Sequence, residues 1–184
     1  RGRTAIVTGA SKGIGFAVAQ GLAKEGCDVH LVSRSAEQLE AAAASIRAKY
    51  AVTVRTHALD LSRSESIATL QHATGTPDIL VNNAGAIPAG DLSQVDEARW
   101  RAAWDLKVFG YINMSRAYHQ AMQARQRGVI VNVTGLAADR LDYRYIAGSA
   151  GNAALNAFTR TLGGMSLEHG VRVLAVSPGA VETE

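Results

Sequence analysis

The sequence of 184 residues predicts a doubly wound α/β fold, a single domain over residues 1–184 with helices on both faces of a parallel sheet. Two observations support this prediction. Six short and almost continuously apolar runs alternate with longer amphipathic stretches, as expected for strands that are buried on both faces. A glycine-rich loop joins the first of these runs to the first helical stretch.

The predicted strands and helices alternate along the whole chain. The strands are the apolar runs Thr4–Val7, Asp28–Val32, Val52–Ala58, Ile79–Val81, Val129–Val133 and Arg172–Ser177. Ser35 and Ser62 are each followed three residues later by Gln or Glu, which is the spacing of a helix capping box. Gly26 and Gly170 stand where a glycine commonly ends a helix. These signals predict helices between the strands.

Composition and charge exclude several classes of protein. A single cysteine, Cys27, excludes an intrachain disulfide and a cysteine-rich zinc site. We expect neither membrane insertion nor secretion, because no apolar stretch approaches the roughly 18 residues of a membrane span and no leader pattern is found. The net charge is only +3, and the sequence contains no run of basic residues, which disfavours nucleic-acid binding. The five histidines show no metal-binding pattern, and we expect a cytoplasmic protein without a metal.

The loop after the first strand predicts a site for a dinucleotide. It reads Thr-Gly-Ala-Ser-Lys-Gly-Ile-Gly over residues 8–15 and leads directly into a helical stretch. The three glycines let the backbone turn sharply and let a pyrophosphate approach closely. The free amides at the start of the helix carry partial positive charge and attract the phosphates. An ATP-binding P-loop is not indicated, because no Gly-Lys-Ser/Thr follows four spacer residues.

The end of the second predicted strand favours NADP(H) over NAD(H). An NAD site usually has an Asp or Glu about 20 residues after the glycines, where it binds the ribose 2′-hydroxyl. This sequence has Ser33 and Arg34 there instead. No carboxylate would repel a 2′-phosphate, and the Arg34 guanidinium can bind it through two hydrogen bonds, with Lys12 as a second cation. The alternative is that Arg34 is simply solvated.

Four segments of the sequence resemble motifs of the short-chain dehydrogenase/reductase family. They are the glycine loop, Asp60-Leu61, the Asn-Asn-Ala-Gly segment at 82–85, and Ser177–Thr183, which resembles the PGxVxT segment of the family. The match covers the whole chain in the right order. The resemblance implies a Rossmann-like fold and assigns to the NADP(H) site the residues Gly9, Ser11, Lys12, Gly13, Ile14, Arg34, Asp60, Leu61, Asn83, Gly85, Val181 and Thr183.

The family pattern continues beyond the segment with which this sequence ends. We therefore expect residues 1–184 to be part of a longer protein, with a C-terminal part missing. Two long helices of the family commonly pair between subunits, and the corresponding stretches here surround Trp100–Arg125 and Ser149–Glu168. The resemblance thus implies a homodimer or homotetramer that acts on a small-molecule substrate.

The catalytic positions depart from the family pattern. The family uses Asn, Ser, Tyr and Lys, where the Tyr is the acid or base at the carbonyl oxygen and the Lys lowers its pKa. Alignment from the flanking residues places Asp105, Gly135, Gly148 and Asn152 at these four positions. Glycine has no side chain to donate a proton, and no lysine follows Lys107. The usual catalytic set is therefore not predicted.

Other side chains near these positions are candidates for the missing groups. Tyr145 is a candidate for the acid and Tyr143 is a second one, with Arg140 or Arg144 as the source of positive charge. Both tyrosines could instead pack against helices or face a subunit interface. Thr134 could replace the serine hydroxyl, although neighbouring residues of a strand point to opposite faces.

Two functions remain open from the sequence. The first is an NADP(H)-dependent oxidoreductase that acts on a carbonyl or alcohol substrate with non-standard proton delivery, and it rests on the intact cofactor motifs. The second is a catalytically inactive NADP(H)-binding protein, either a sensor or a partner subunit. It rests on the two glycines at catalytic positions, because a fold alone does not establish a reaction.

Overall fold

A computed structural model describes residues 2–182 and confirms the doubly wound α/β fold. The sheet has six parallel strands in the order β3-β2-β1-β4-β5-β6. The strands are β1 (Thr4–Thr8), β2 (Asp28–Ser33), β3 (Val54–Ala58), β4 (Ile79–Asn82), β5 (Gly128–Val133) and β6 (Val171–Val176). All six predicted strands are confirmed, with ends that differ by one or two residues.

The described residues form six α-helices between these strands. They are α1 (Gly13–Lys24), α2 (Ala36–Arg47), α3 (Ser64–Thr74), α4 (Glu97–Trp104), α5 (Gly110–Ala124) and α6 (Ile146–Ser166). A π-helical turn, Asp105–Phe109, joins α4 to α5. The helical stretch predicted around Trp100–Arg125 is therefore continuous but widened near its middle. Within residues 2–182, no helix is long and apolar enough to cross a membrane.

The helix ends follow three of the predicted signals and depart from the fourth. The Ser35 hydroxyl accepts a hydrogen bond from the amide three residues on at 3.3 Å. Gly26 and Gly170 have φ angles of +82° and +70°, as glycines that end helices do. The prediction for Ser62 is wrong. Its amide and hydroxyl donate to Asp60 at 3.1 and 2.8 Å, so this hydroxyl is already engaged, and α3 begins two residues later without a side-chain cap.

Two apolar clusters cover the two faces of the sheet. Helices α1 and α2 bury residues such as Ala19 and Ile46 against one face. Helices α3 and α5 bury residues such as Leu70 and Met114 against the other. The chain winds outward from β1 in one direction and from β4 in the other, so these adjacent strands form the switch point of the sheet. Ligands of doubly wound folds bind at the carboxyl ends of the strands at such a point.

Candidate functional site

A crevice of about 1020 Å³ opens at the carboxyl ends of the central strands. Of the predicted cofactor residues, Gly13 and Asp60 lie next to its lining in the chain without contributing to it, and Thr183 lies outside the described residues. The other nine line the crevice together: Gly9, Ser11, Lys12, Ile14, Arg34, Leu61, Asn83, Gly85 and Val181.

The glycine loop has a backbone that excludes side chains at two positions. Gly9 has a φ angle of +65°, and a Cβ there would lie 2.9 Å from Ala84 Cα. A Cβ at Gly15 would collide with the Gly9 carbonyl oxygen. Helix α1 begins directly after this turn and has no side-chain cap. Its first backbone amides therefore remain free to bind an anion, as the amides of a phosphate-binding helix N-terminus do.

Hydrogen bonds fasten the glycine loop to the segment after β4. The Thr8 hydroxyl accepts hydrogen bonds from the backbone amides of Asn83 and Ala84 at 2.8 and 2.9 Å. The side-chain amide of Asn83 donates to the carbonyl oxygens of Thr8 and Gly9 at 3.0 and 3.3 Å. These bonds hold two walls of the crevice in place, which lowers the ordering cost of binding a ligand between them.

Arg34 lies at the end of β2, where the crevice meets the solvent. It is exposed, and within residues 2–182 it forms no salt bridge. Burial would raise the pKa of Asp60, but hydrogen bonds from Ser62 and the charges of Arg34 and Arg63 outweigh it and lower this pKa. Because the Arg34 guanidinium pairs with no described carboxylate, its donors can bind a phosphate.

The two glycines at predicted catalytic positions leave their space to side chains of the α6 region. A Cβ at Gly135 would lie 2.9 Å from the side-chain nitrogen of Asn152. A Cβ at Gly148 would overlap the ring of Tyr145, which immediately precedes α6. A tyrosine at position 148 therefore has no room unless Tyr145 moves. The structure thus replaces the absent side chains by groups from other positions in the chain.

Tyr145, but not Tyr143, enters this region. The Gly90 amide donates to the carbonyl oxygen of Arg144 at 2.6 Å and holds the segment before α6 against the loop after β4. Tyr145 is partly buried, and this burial raises its pKa. Tyr143 is 72% exposed, and the Arg144 guanidinium forms a salt bridge with Asp142 at 2.9 Å. The structure therefore places neither the Tyr143 hydroxyl nor the Arg144 guanidinium beside the Tyr145 ring.

Asn152 is a buried polar side chain with an unused acceptor. It is 2% exposed, and its Oδ1 has no hydrogen-bond partner among the described residues. The neighbouring Ser149 hydroxyl is also buried without a described partner. Unpaired polar atoms inside a protein are costly and rare, so they commonly mark a place where a ligand or water binds. A ribose hydroxyl could donate to the Asn152 oxygen.

The structure places Lys107, not Asp105, at the carboxyl end of β5. Asp105 is exposed, because residues two apart in a helical turn point in different directions. The Lys107 Nζ donates to the carbonyl oxygens of Val133 and Thr134 at 3.2 and 3.3 Å. A Cβ at Gly85 would lie 2.9 Å from the Lys107 side-chain carbons. Burial lowers the pKa of Lys107 to about 8.

Thr134 does not take the place of the missing serine. Its hydroxyl lies 2.8 Å from the Ser177 hydroxyl and donates to the Val176 carbonyl oxygen at 3.4 Å. It therefore points toward the end of β6 and away from Asn152, as alternation along a strand predicts. The hydroxyl therefore links the carboxyl ends of β5 and β6.

Three of the five histidines have polar partners in the structure. His30 Nδ1 lies 2.8 Å from His57 Nε2 across β2 and β3, and His119 lies 2.7 Å from the Ser166 hydroxyl. Burial, with a smaller contribution from the neighbouring His57, lowers the pKa of His30 to about 4. In the part of the chain that the structure describes, no group of three or more His, Cys, Asp or Glu could hold a metal ion.

Comparisons with known proteins agree with this geometry. The family model described as short chain dehydrogenase matches residues 3–184. The chain is 34% identical over 185 residues to galactitol 2-dehydrogenase (L-tagatose-forming) of Cereibacter sphaeroides, a match that covers 100% of this chain and 73% of that protein.

Two solved structures resemble the chain closely. L-Sorbose reductase from Gluconobacter frateurii, complexed with NADPH and L-sorbose, has a TM-score of 0.92 and 32% identity over 99% of this chain and 71% of its own. An NAD+-bound xylitol dehydrogenase has a TM-score of 0.90 and 29% identity over 97% of this chain and 70% of its own. These relatives therefore include one bound to each nicotinamide cofactor.

Proposed function

The chain belongs to the short-chain dehydrogenase family of oxidoreductases, and on that premise we propose that it interconverts a carbonyl compound and its alcohol with NADP(H). The observation that carries the proposal is the crevice at the carboxyl ends of the strands, which contains the free amides of α1 and the Arg34 guanidinium, with Lys107 and Asn152 beside it at the end of β5. When bound, NADPH supplies a hydride to the carbonyl carbon, and the carbonyl oxygen takes up a proton.

Residues in and beside the crevice fit the parts of NADPH. The glycines at positions 9 and 15 let the loop pack tightly against the segment after β4 and against its own backbone, and the α1 amides that follow this turn would hold the pyrophosphate. Arg34 and Lys12 would bind the 2′-phosphate. The unpaired Oδ1 of Asn152 would accept a hydrogen bond from the nicotinamide ribose. A carboxylate at position 34 would instead favour NAD(H), and this sequence lacks one there.

The cofactor preference is tested by titrating the protein with NADPH and with NADH while following intrinsic fluorescence. We expect NADPH to bind more tightly, because Arg34 can form charge-assisted hydrogen bonds only with the 2′-phosphate. Equal affinity, or tighter binding of NADH, would contradict the proposed preference and would leave the oxidoreductase function in place.

The substrate is tested with a panel of carbonyl compounds and alcohols. The names of the relatives refer to galactitol, L-tagatose, L-sorbose and xylitol, so ketoses and polyols form the first part of the panel. Simple ketones, aldehydes and cyclic alcohols form the second part. We expect NADPH oxidation with at least one carbonyl compound, followed at the absorbance of the reduced nicotinamide.

A catalytically inactive NADP(H)-binding protein is the second candidate function. The glycines at positions 135 and 148 favour it, because neither offers a hydroxyl. NADPH binding without oxidation across the panel would support this candidate. A triple variant, Tyr145→Ala with Gly148→Tyr and Asn152→Lys, should then gain activity. The Tyr145 change is required because its ring occupies the space at Gly148.

We also propose that the protein forms a homodimer or homotetramer through α5 and α6. Phe109, Met165 and Leu167 are exposed apolar side chains near the ends of these helices, at 51%, 65% and 67% exposure. Light scattering at micromolar concentration tests the proposal, and a monomer would contradict it.

A further inference from the structure

Lys107 is a largely buried cation, and no anionic partner for it is found within residues 2–182. Its described hydrogen bonds go to two backbone carbonyl oxygens, those of Val133 and Thr134. Among the described residues, no carboxylate forms a salt bridge with it. Removing an ammonium group from water without a counter-charge opposes folding. Such groups are concentrated at functional sites, where the perturbed proton affinity is used.

Lys107 lies beside the crevice, between its Gly85 wall and the carboxyl end of β5. The Lys107 side-chain carbons pack against Gly85, which lines the crevice. Thr134, whose carbonyl oxygen the amine contacts, is followed by Gly135, where the Asn152 amide approaches from α6. Lys107 thus approaches the carboxyl end of β5 from the π-helical turn, and Asn152 approaches it from α6. Ligands of doubly wound sheets bind at this carboxyl edge of the strands.

One donor of the amine remains available. An ammonium group has three N–H donors, and the described contacts use two of them. The two carbonyl oxygens hold Nζ in place without neutralising its charge. The third N–H has no acceptor among the described residues.

We propose that Lys107 is the acid of the reaction and donates its proton to the carbonyl oxygen of the substrate. This inference rests on the proposed NADP(H)-dependent function. In the reduction, the carbonyl carbon would accept the hydride of NADPH and its oxygen the proton of Lys107. One C–H and one O–H bond form, while a C–H bond of the dihydronicotinamide, the π bond of the carbonyl and an N–H bond of Lys107 break, which leaves the alcohol and NADP+. The neutral amine then regains a proton from water. In the oxidation, the neutral amine accepts the proton of the alcohol.

The proton affinities of the two candidates favour Lys107 over Tyr145. Burial lowers the pKa of Lys107 to about 8, whereas burial raises the pKa of Tyr145. A catalytic acid works best when its pKa is close to the working pH. At neutral pH the Lys107 ammonium is present and gives up its proton more readily than a phenol does. Tyr145 remains available to position the substrate.

Among the described residues, one other titratable group, Tyr111, contacts Lys107. The Tyr111 ring lies 5.6 Å from Nζ, and its hydroxyl donates to the Val133 carbonyl oxygen at 3.0 Å. Burial raises the pKa of Tyr111, so this phenol stays neutral. The facing residues after β4 and at the end of β5 are Gly85, Val133 and Thr134, which carry no titratable side chain.

The first test measures the amine directly in the protein without cofactor. The chain has four lysines, at positions 12, 24, 49 and 107, so lysine labelled with 13C at Cε gives four resolvable signals. The signal that disappears in Lys107→Met belongs to Lys107. We expect its titration midpoint near 8, against about 10.4 for a lysine in water. A midpoint near the value in water would overturn the proposal.

The second test compares the kinetics of Lys107→Met, Lys107→Arg and the control Lys49→Met. In the wild type, kcat for carbonyl reduction should fall above about pH 8, where the ammonium is lost. Both Lys107 variants should lower kcat by about 10²- to 10⁴-fold and lose this pH dependence. Arginine keeps the charge but holds its proton too tightly to donate it. The exposed Lys49 should be replaceable without effect.

The outcomes separate the two proposals. A wild-type protein that oxidises NADPH with no member of the panel would overturn the proposed function. Wild-type turnover that persists in Lys107→Met with the same pH profile would overturn the role of Lys107 alone. Turnover by Lys107→Arg at the wild-type rate would show that charge suffices and would overturn proton donation. NADPH titrations of each variant confirm that the binding site is intact.

Discussion

Replacing Lys107 by methionine is expected to stabilise the protein at neutral pH. Folding lowers the pKa of this amine from 10.5 to about 8, which at about 1.36 kcal/mol per pH unit corresponds to about 3 kcal/mol against folding. Methionine keeps an unbranched side chain without the charge. The Val133 carbonyl oxygen retains its bond from Tyr111, whereas the Thr134 carbonyl oxygen loses a donor at a cost of about 1 kcal/mol. The expected net gain for Lys107→Met is about 2 kcal/mol.

The pH dependence of this gain has a defined sign. Between about pH 8 and 10.5, the native amine is neutral while the unfolded one is still protonated. The unfolded state then binds more protons, so wild-type stability rises with pH in this window. The penalty from Lys107 is complete below about pH 8 and disappears near pH 10.5. The advantage of the methionine variant should shrink accordingly.

Urea unfolding followed by circular dichroism at neutral and at alkaline pH measures the effect. Lys49→Met is the matched control, because the exposed Lys49 should change the unfolding free energy by less than about 0.5 kcal/mol. A Lys107→Met variant less stable than wild type at neutral pH would refute the reasoning. So would a difference between the two proteins that does not change with pH.

Three further predictions concern the cofactor site and the core. Arg34→Ala should weaken NADPH binding about 10- to 100-fold through the loss of roughly 1.5–3 kcal/mol of charge-assisted hydrogen bonds; an equal loss of NADH affinity in the same fluorescence titration would contradict this. Gly9→Ala should lower the thermal midpoint and abolish binding, because φ there is +65° and Ala84 Cα lies 2.9 Å from the new Cβ. Its control, Gly21→Ala in α1 with no atom within 4 Å, should add about 0.5–1 kcal/mol. Stability should fall as the pH decreases from 6.5 to about 4, because the native state resists protonation of His30. His30→Gln should weaken this pH dependence of stability in urea titrations. An unchanged pH profile would show that other groups cause the loss of stability at acidic pH.

The fold and the position of the crevice were predictable because their signals are local in the chain. A strand buried on both faces is an apolar run wherever it occurs, so the six strands were recognised to within two residues. The glycines at positions 9 and 15 mark a turn whose geometry depends on a few neighbouring residues. Even the error at Ser62 was local, because the hydroxyl met a closer partner in Asp60 than the end of α3.

The arrangement of side chains at the end of β5 was decided by tertiary structure. Alignment along the chain pointed to Asp105, whereas the helical turn directs Lys107 to the end of β5 and exposes Asp105. A lysine between Leu106 and Val108 was the available signal, since a charge between apolar residues suggests burial.

The space beside a glycine is invisible in a sequence. The ring of Tyr145 fills the volume beside Gly148, and the side-chain amide of Asn152 fills the volume beside Gly135. Packing of the folded chain brings these groups together in space. The proton affinity of Lys107 follows the same rule. Removal from water lowers the pKa of its amine to about 8. Burial is a property of the folded chain and cannot be read from composition alone.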